Sequence, residues 1–316
     1  MVCDKISNME ERKMRKKILA VLLTALVCLC LAFTACDSDE KNEDEEKIET
    51  AKSSEGLEFG LSVDETSYVV VGIGECTDTD IVIPSEYNGK PVTKILFDAF
   101  RDCPSITSIE IPGSVTSIGD SAFSNCESLT SVTISNGVTS IGGYVFRNCR
   151  SLTSIEIPDS ITSIGDGVFE NCTSLVYNEY DNGCYLGNDK NPYLVLVKAN
   201  DSSITNCKIH ENTRMIHIYA FYGCGSLTNV EMPVGVTSIG KNAFDNCKML
   251  ASVTMPDSVT SIGENAFRGC KKLTIYCEAE SQPSGWDRDW NVDSCPVVWG
   301  HTHSFVDGEC VCGVKE

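Results

Sequence analysis

A five-residue ending returns along this chain at a fixed step. Ala122-Phe123-Ser124-Asn125-Cys126 is echoed by Val145-Phe146-Arg147-Asn148-Cys149 and Val168-Phe169-Glu170-Asn171-Cys172, and later by Ala243-Phe244-Asp245-Asn246-Cys247 and Ala266-Phe267-Arg268-Gly269-Cys270. Cys103, Cys126, Cys149 and Cys172 lie 23 residues apart, as do Cys224, Cys247 and Cys270. A block this short cannot bury its own apolar face. Repetition at such a period means a solenoid in which each block is one coil and stacking makes the core.

One coil can be read residue by residue. In Ile106-Thr107-Ser108-Ile109-Glu110-Ile111-Pro112 the alternation sends Ile109 and Ile111 inward and Ser108 and Glu110 outward, the mark of a half-buried strand. Pro112 closes it, because proline cannot continue the ladder. Val115 and Ile118 face the interior from a second short extended piece, Gly119 permits a turn, and the Ala122-Phe123 stretch is expected to make a single helical or 3₁₀ turn. Identical neighbours above and below each apolar residue imply one continuous core. The expected fold is a β-rich, right-handed solenoid of about seven repeats over residues 81–270. The first coil is degenerate, with a bulge at Tyr87 to Pro91. The fifth runs from Ile204 to Cys224, with Cys207 where Ile109 sits and His210 in place of the proline.

The ends differ in character. Met14-Arg15-Lys16-Lys17 precedes an uncharged run from Ile18 to Phe33 and then Thr34-Ala35-Cys36, which reads as an export signal over residues 1–35 with translation starting at Met14. Asp37 to Gly56 holds nine acidic and three basic residues, too polar to form a core, so residues 36–56 are expected to be a disordered tether. Residues 57–80, with a hairpin over Leu57 to Val71, should cap the first coil. Residues 271–300, which contain Trp286, Trp290 and Trp299, should cap the last. Residues 301–316 form a His/Cys tail. The period breaks at 173–203, where Asn182-Gly183 between alternating apolar residues signals a hairpin. This insert is expected to be a small β meander projecting from the stack, or an enlarged coil, with Tyr177, Tyr180, Tyr185 and Tyr193 either forming a contact patch or packing the meander in place.

The pattern Leu-Thr-Ser-Ile-x-Ile-Pro-x-Ser-Val-Thr-Ser-Ile-Gly-x-x-Ala-Phe-x-x-Cys resembles the BspA-like leucine-rich repeat family over roughly residues 57–300. So do the entry from Thr77 to Pro84, the Tyr185-Leu186-Gly187-Asn188 segment and the exit from Tyr276 to Gly300. The resemblance implies an extracellular bacterial protein and adhesion to host or bacterial partners. Cys36 resembles the cysteine of a bacterial lipobox, which implies a lipid anchor in the membrane there; simple cleavage and secretion is the other reading. Tails similar to this one read Cys-x-x-Cys-Gly; here one residue is missing between Cys310 and Cys312, which should make the two sulfurs less able to hold one ion.

Little points to catalysis. The four histidines are His210, His217, His301 and His303, and no nucleophile elbow, zinc-protease, phosphate-loop or dinucleotide motif is present. A net charge of −20 argues against nucleic acid as a partner. The eighteen cysteines of an exported chain suggest disulfides, but one fixed position beside the core Phe favours a stack of buried thiols. Adjacent-coil bridges stay open, as do Cys277–Cys295 and Cys184–Cys207. Candidate ligand-contacting residues are Glu110, Thr133, Glu156, Glu231 and Thr254 on the outward strand face, and Tyr180 and Tyr185 in the insert. His301, His303, Cys310 and Cys312 are a zinc set by residue type; no other cofactor is expected. The functional expectation is a non-enzymatic surface lipoprotein that binds an extracellular protein or glycan. A structural envelope spacer without a ligand and an accessory of polysaccharide processing are the alternatives.

Overall fold

The computed structural model describes residues 53–303, together with 305, 306, 309, 310 and 312. The export signal, Cys36 and most of the acidic tether lie outside the described residues. Among the described residues no helix is long and apolar enough to cross a membrane.

The chain is a β-solenoid, and each coil contributes one strand to each of two parallel sheets. In the first four coils the long strands are Asp80–Val82, Ser108–Ile111, Ser131–Ile134 and Ser154–Ile155, paired in that spatial order. Lys90–Ile95, Ser117–Ile118, Ser140–Ile141 and Ser163–Ile164 form the second sheet. The registers hold the period: Ser108 pairs with Ser131 and Ile109 with Val132. Ile109 and Ile111 are buried and Glu110 is exposed, as the alternation requires. The threonines of the repeat explain themselves here. Thr139 donates both its backbone N–H and its Oγ1 hydroxyl to Thr116 O, at 2.9 and 3.0 Å, and Thr162 repeats the side-chain bond to Thr139 O at 3.1 Å.

The Ala-Phe segment is not a helical turn. Among the described residues there is no helix. Alternate N–H groups of the segment leave the coil: Ser121, Phe123 and Asn125 donate to Gly143, Val145 and Arg147 O of the next coil at 2.8–3.0 Å. The others close local turns, as Ser124 N–H to Ser121 O at 3.0 Å. Such zigzag bonding needs left-handed residues, and Ser121 (φ 56°) and Asn125 (φ 63°) supply them. Asparagine tolerates that region better than other side-chain-bearing residues, and its amide is used as well. Asn148 Nδ2 donates to Asn125 Oδ1 at 2.6 Å and Asn171 Nδ2 to Asn148 Oδ1 at 2.8 Å, a ladder along the edge.

The core does not run through. One buried cluster spans Leu57 to Leu175 and a second spans Cys207 to Cys295, and the sheets of coils one to four do not pair with those of coils five to seven. The 173–203 segment lies between them and does not project. Its strands Asn178–Tyr180, Gly183–Leu186 and Val195–Ala199 form an antiparallel meander. Leu186, Val195 and Val197 join the first core, whereas Tyr185 and Leu196 join the second. The meander is a septum whose strands Gly183–Leu186 and Val195–Ala199 are buried on both faces over most of their length. Its last strand restarts the stack by pairing in parallel with Met215–Ile216. The long strands of the second half are Asn206–Lys208, Asn229–Glu231, Ser252–Met255, Thr274–Cys277 and Val297–Val298.

The glycine before each Ala-Phe segment shows why a restart is needed. A Cβ on Gly165 would lie 2.5 Å from Gly143 N, and one on Gly240 2.4 Å from Ile218 N. A following coil therefore sits too close for a side chain at that position. The two coils with no regular predecessor carry Leu96 and His217 there instead. His217 is buried, and burial lowers its pKa to about 4.

The ends are covered by different means. Glu58–Leu61 and Tyr68–Gly72 form an antiparallel hairpin whose second strand pairs in parallel with Lys90–Ile95. The end of the acidic tether is ordered, because the open edge of Asp80–Val82 needs partners: Ser54 N–H donates to Val82 O at 2.9 Å and Val82 N–H to Ser54 Oγ at 3.1 Å. At the other end Trp286 and Trp290 are buried, and Trp286 Nε1 donates to Val259 O at 3.0 Å.

The twelve described cysteines from Cys76 to Cys295 are free thiols. Cys126, Cys149 and Cys172 donate to Phe100, Phe123 and Phe146 O of the preceding coil at 3.0–3.1 Å. Burial raises the thiol pKa of Cys126 and Cys172 to about 12. Neither suggested bridge forms: Cys184 Sγ donates to Asn200 Oδ1 at 3.1 Å and Cys295 Sγ to Cys270 O at 3.4 Å.

Candidate functional site

The outward column of the second half is set by strand register. Lys208 pairs with Glu231, and Thr254 with Tyr276, which in turn pairs with Val298. A cavity of about 630 Å³ lies over this column. Its floor includes Asn229, Glu231, Ser252 and Thr254. Thr254 Oγ1 is buried beneath this floor without a hydrogen-bond partner. The acidic rim comprises Glu211, Glu231 and Glu278, with Lys208 Nζ 3.9 Å from Glu231.

One wall rises from the septum. Tyr180 meets His210 edge-on at 4.8 Å between centroids, and His210 stacks on Tyr193 at 3.9 Å. Asn212 N–H donates to His210 Nδ1 at 3.1 Å and fixes the ring. His210 occupies the place of the repeat proline, which is why this wall exists in one coil alone. The opposite wall is the tail, through His303 and Cys312.

A second cavity of about 600 Å³ lies over the first half and is lined by Thr133, Glu156, Pro158 and the septum residues Asn188, Asp189 and Lys190. The septum thus divides what repetition implied would be one strand face into two grooves. The candidate contact residues divide with it. Tyr180, Glu231 and Thr254 share one groove, Thr133 and Glu156 share the other, and Glu110 is exposed outside both. Tyr185 is no contact residue: it is fully buried, burial raises its pKa, and its hydroxyl accepts from His210 N–H at 3.4 Å.

In the tail, one donor atom from each of His301, His303, Cys310 and Cys312 lies within 4.8 Å of the others. The Cys-x-Cys spacing does not part the sulfurs. Glu309–Cys310 is a strand paired antiparallel with Phe305–Val306, which folds the Cys pair back toward His301 and His303. Cys310 Sγ is 3.5 Å from His301 Nε2, and Cys312 Sγ is 3.4 Å from His303 Nδ1. Glu278 Oε1 lies 3.6 Å from His303 Nε2. Reading the sequence misses Glu278 as a partner of His303, although alternation in Thr274–Cys277 continues to it and turns it outward like Glu231.

Residues 80–187 and 199–280 match the family model described as BspA type leucine rich repeat region, in six copies. No curated protein matches the chain. Among solved structures the chain is similar to a T. pallidum leucine rich repeat protein at 27% identity, covering 70% of this chain and 90% of that one with a TM-score of 0.43. It is similar to a leucine rich cell surface protein of Faecalibacterium prausnitzii at 29% identity, covering 81% of this chain and 58% of that one with a TM-score of 0.41. It is also similar to a Bacteroides ovatus leucine-rich repeat protein at 24% identity, covering 79% and 71% with a TM-score of 0.41.

Proposed function

The chain belongs to the BspA-type leucine-rich repeat family, and on that premise we propose that it is a non-catalytic, lipid-anchored protein of the cell surface that binds an extracellular protein or glycan. The observation that carries this reading is the second-half groove. It joins an aromatic wall and an acidic rim over about 630 Å³, the size and mixed lining of a ligand site. The Tyr180 and His210 rings suit the face of a sugar or an apolar side chain. The rim of Glu211, Glu231 and Glu278 suits hydroxyl groups or a cation. The repeat weighs against catalysis: Glu110, Glu156 and Glu231 hold one position in three coils, whereas hydrolysis of a glycan needs a unique pair of carboxyl groups at defined separation. The lipid anchor at Cys36 rests on the sequence alone.

The test is capture by the mature chain from three pools: extracellular matrix proteins, mucin glycans and neighbouring bacteria. Deleting the insert is unsuitable, since the septum is core. Tyr180→Ala combined with Glu231→Lys alters the groove and keeps every strand of the septum. We expect a saturable partner whose affinity falls at least tenfold in the double variant. Unchanged affinity would move the contact off this groove. No partner in any pool would favour an envelope spacer, and a glycan shortened during incubation would show an enzyme.

A further inference from the structure

We propose that His301, His303, Cys310 and Cys312 form a tetrahedral zinc site that clasps the tail to the last coil and holds it as a wall of the groove. Bond lengths of about 2.3 Å to sulfur and about 2.05 Å to nitrogen at a tetrahedral angle put S and N about 3.5 Å apart. The observed pairs are separated by 3.5 and 3.4 Å, and all four donors fall within 4.8 Å. Two thiolates and two imidazoles are soft to borderline ligands that select zinc over magnesium or calcium.

Three further features point the same way. His301 is held to the body of the solenoid, with its backbone N–H donating to Cys277 O at 2.8 Å and its ring 4.9 Å from Tyr276. The antiparallel pairing of Phe305–Val306 with Glu309–Cys310 folds the Cys pair back onto the His pair. Glu278 stands beside Nε2 of His303 while Nδ1 faces Cys312. A carboxylate on the far nitrogen of a liganding histidine fixes the ring and raises its basicity, the usual outer shell of a zinc histidine. Neighbouring thiols are poor competitors, because Cys277 and Cys295 are buried in the core.

The consequence is a groove wall that depends on metal. His303 and Cys312 both line the cavity, so the clasp decides whether the tail stays against it. This assignment does not depend on what the groove binds.

The test uses the mature chain, stripped of metal and fully reduced, titrated with Zn²⁺ against a chromophoric chelator and separately with Co²⁺. We expect one equivalent of each ion. The Co²⁺ form should show intense visible bands of a tetrahedral site and a near-ultraviolet sulfur-to-cobalt charge-transfer band. Cys312→Ser and His303→Ala should abolish stoichiometric binding with the far-ultraviolet circular dichroism of the solenoid unchanged. Glu278→Gln, outside the ligand set, should weaken binding 10–100-fold and keep the tetrahedral spectrum. Absence of stoichiometric binding would overturn the site and leave two thiol–imidazole hydrogen bonds in its place. A pale octahedral Co²⁺ spectrum without charge transfer would also overturn it, as would one equivalent retained by a Cys310→Ser, Cys312→Ser double variant.

Discussion

Coils one to four and coils five to seven are built from the same repeat, yet their phenylalanine stacks end differently. In the first half the ring centroids of Phe100, Phe123, Phe146 and Phe169 are 5.1, 5.7 and 6.2 Å apart, opening toward the septum. In the second half Phe221, Phe244 and Phe267 stay at 5.0 and 5.2 Å and then meet Trp290 edge-on at 6.0 Å. The last ring of the first half faces His217 at 6.3 Å and a 44° tilt, and Phe169 is the most exposed ring of either stack. A coil packs best between two copies of itself. A tryptophan cap closes one end well, whereas a septum that must serve two cores at once leaves the adjoining ring looser.

The largest expected effect tests that contrast at the core. Phe146→Ala, between two stacked neighbours, should cost about 3–5 kcal/mol in guanidinium unfolding. Phe169→Ala should cost less, because the site is already open on one side. Equal costs would contradict the difference between the two ends. The next largest concerns the coil that restarts the stack beside the septum. Burial holds His217 neutral with a pKa near 4 against an ordinary value of 6.5. The unfolded chain takes up the proton first as pH falls, so the stabilisation is complete above pH 6.5 and is lost down through pH 4, a change of about 3 kcal/mol. His217→Leu should flatten stability over that window. An unaltered acid profile in the variant would place the sensitivity elsewhere.

A smaller effect, about 1–3 kcal/mol of overpacking, is expected for Gly165→Ala, whose Cβ would strike the backbone of coil three. A melting temperature equal to wild type would show that coil spacing does not exclude side chains from that column. The least costly change lies at the surface. Arg147 pairs with Glu170 at 3.5 Å with both side chains nearly half exposed, and Arg147→Ala should cost under about 1 kcal/mol. In the same column of the second half, Arg268 pairs with Asp245, whose side chain is fully buried. Arg268→Ala should lower the melting temperature more than Arg147→Ala, because it strands a buried carboxylate.

The repeat was legible because two periods coincide in it. The alternation of Ile109, Glu110 and Ile111 marks a strand, and the 23-residue step of Phe and Cys marks the stack. The septum was harder to see. Tyr193-Leu194-Val195-Leu196-Val197 has no alternation because both faces are buried, and such a run carries no sign of which neighbour each face meets. The turns around Phe123 were misread as helical because left-handed asparagines leave no periodic trace. Of the groove, Tyr180, Glu231 and Thr254 were visible as outward residues. Tyr185 was not distinguishable from Tyr180 by sequence: both face the second core, Tyr185 fully buried within it and Tyr180 half-buried against it. The spacing of Cys310 and Cys312 alone does not show that the pairing of Glu309–Cys310 with Phe305–Val306 brings both sulfurs within 4.8 Å of a nitrogen of His301 and of His303.

The coil-to-coil bonds of the Phe segment have a bearing on how such a chain can change length. Phe123 N–H reaches Val145 O, Phe146 N–H reaches Val168 O, and Phe244 N–H reaches Ala266 O by one geometry. Any coil inside a half therefore presents the same sockets above and below. A tandem duplication of 23 residues would insert without new joints and lengthen its groove by about 5 Å. The septum and the two caps have no such interchangeable faces. Growth is confined to the interior of each half, so the reach of the molecule can drift by whole steps while the boundary between its two grooves is inherited intact.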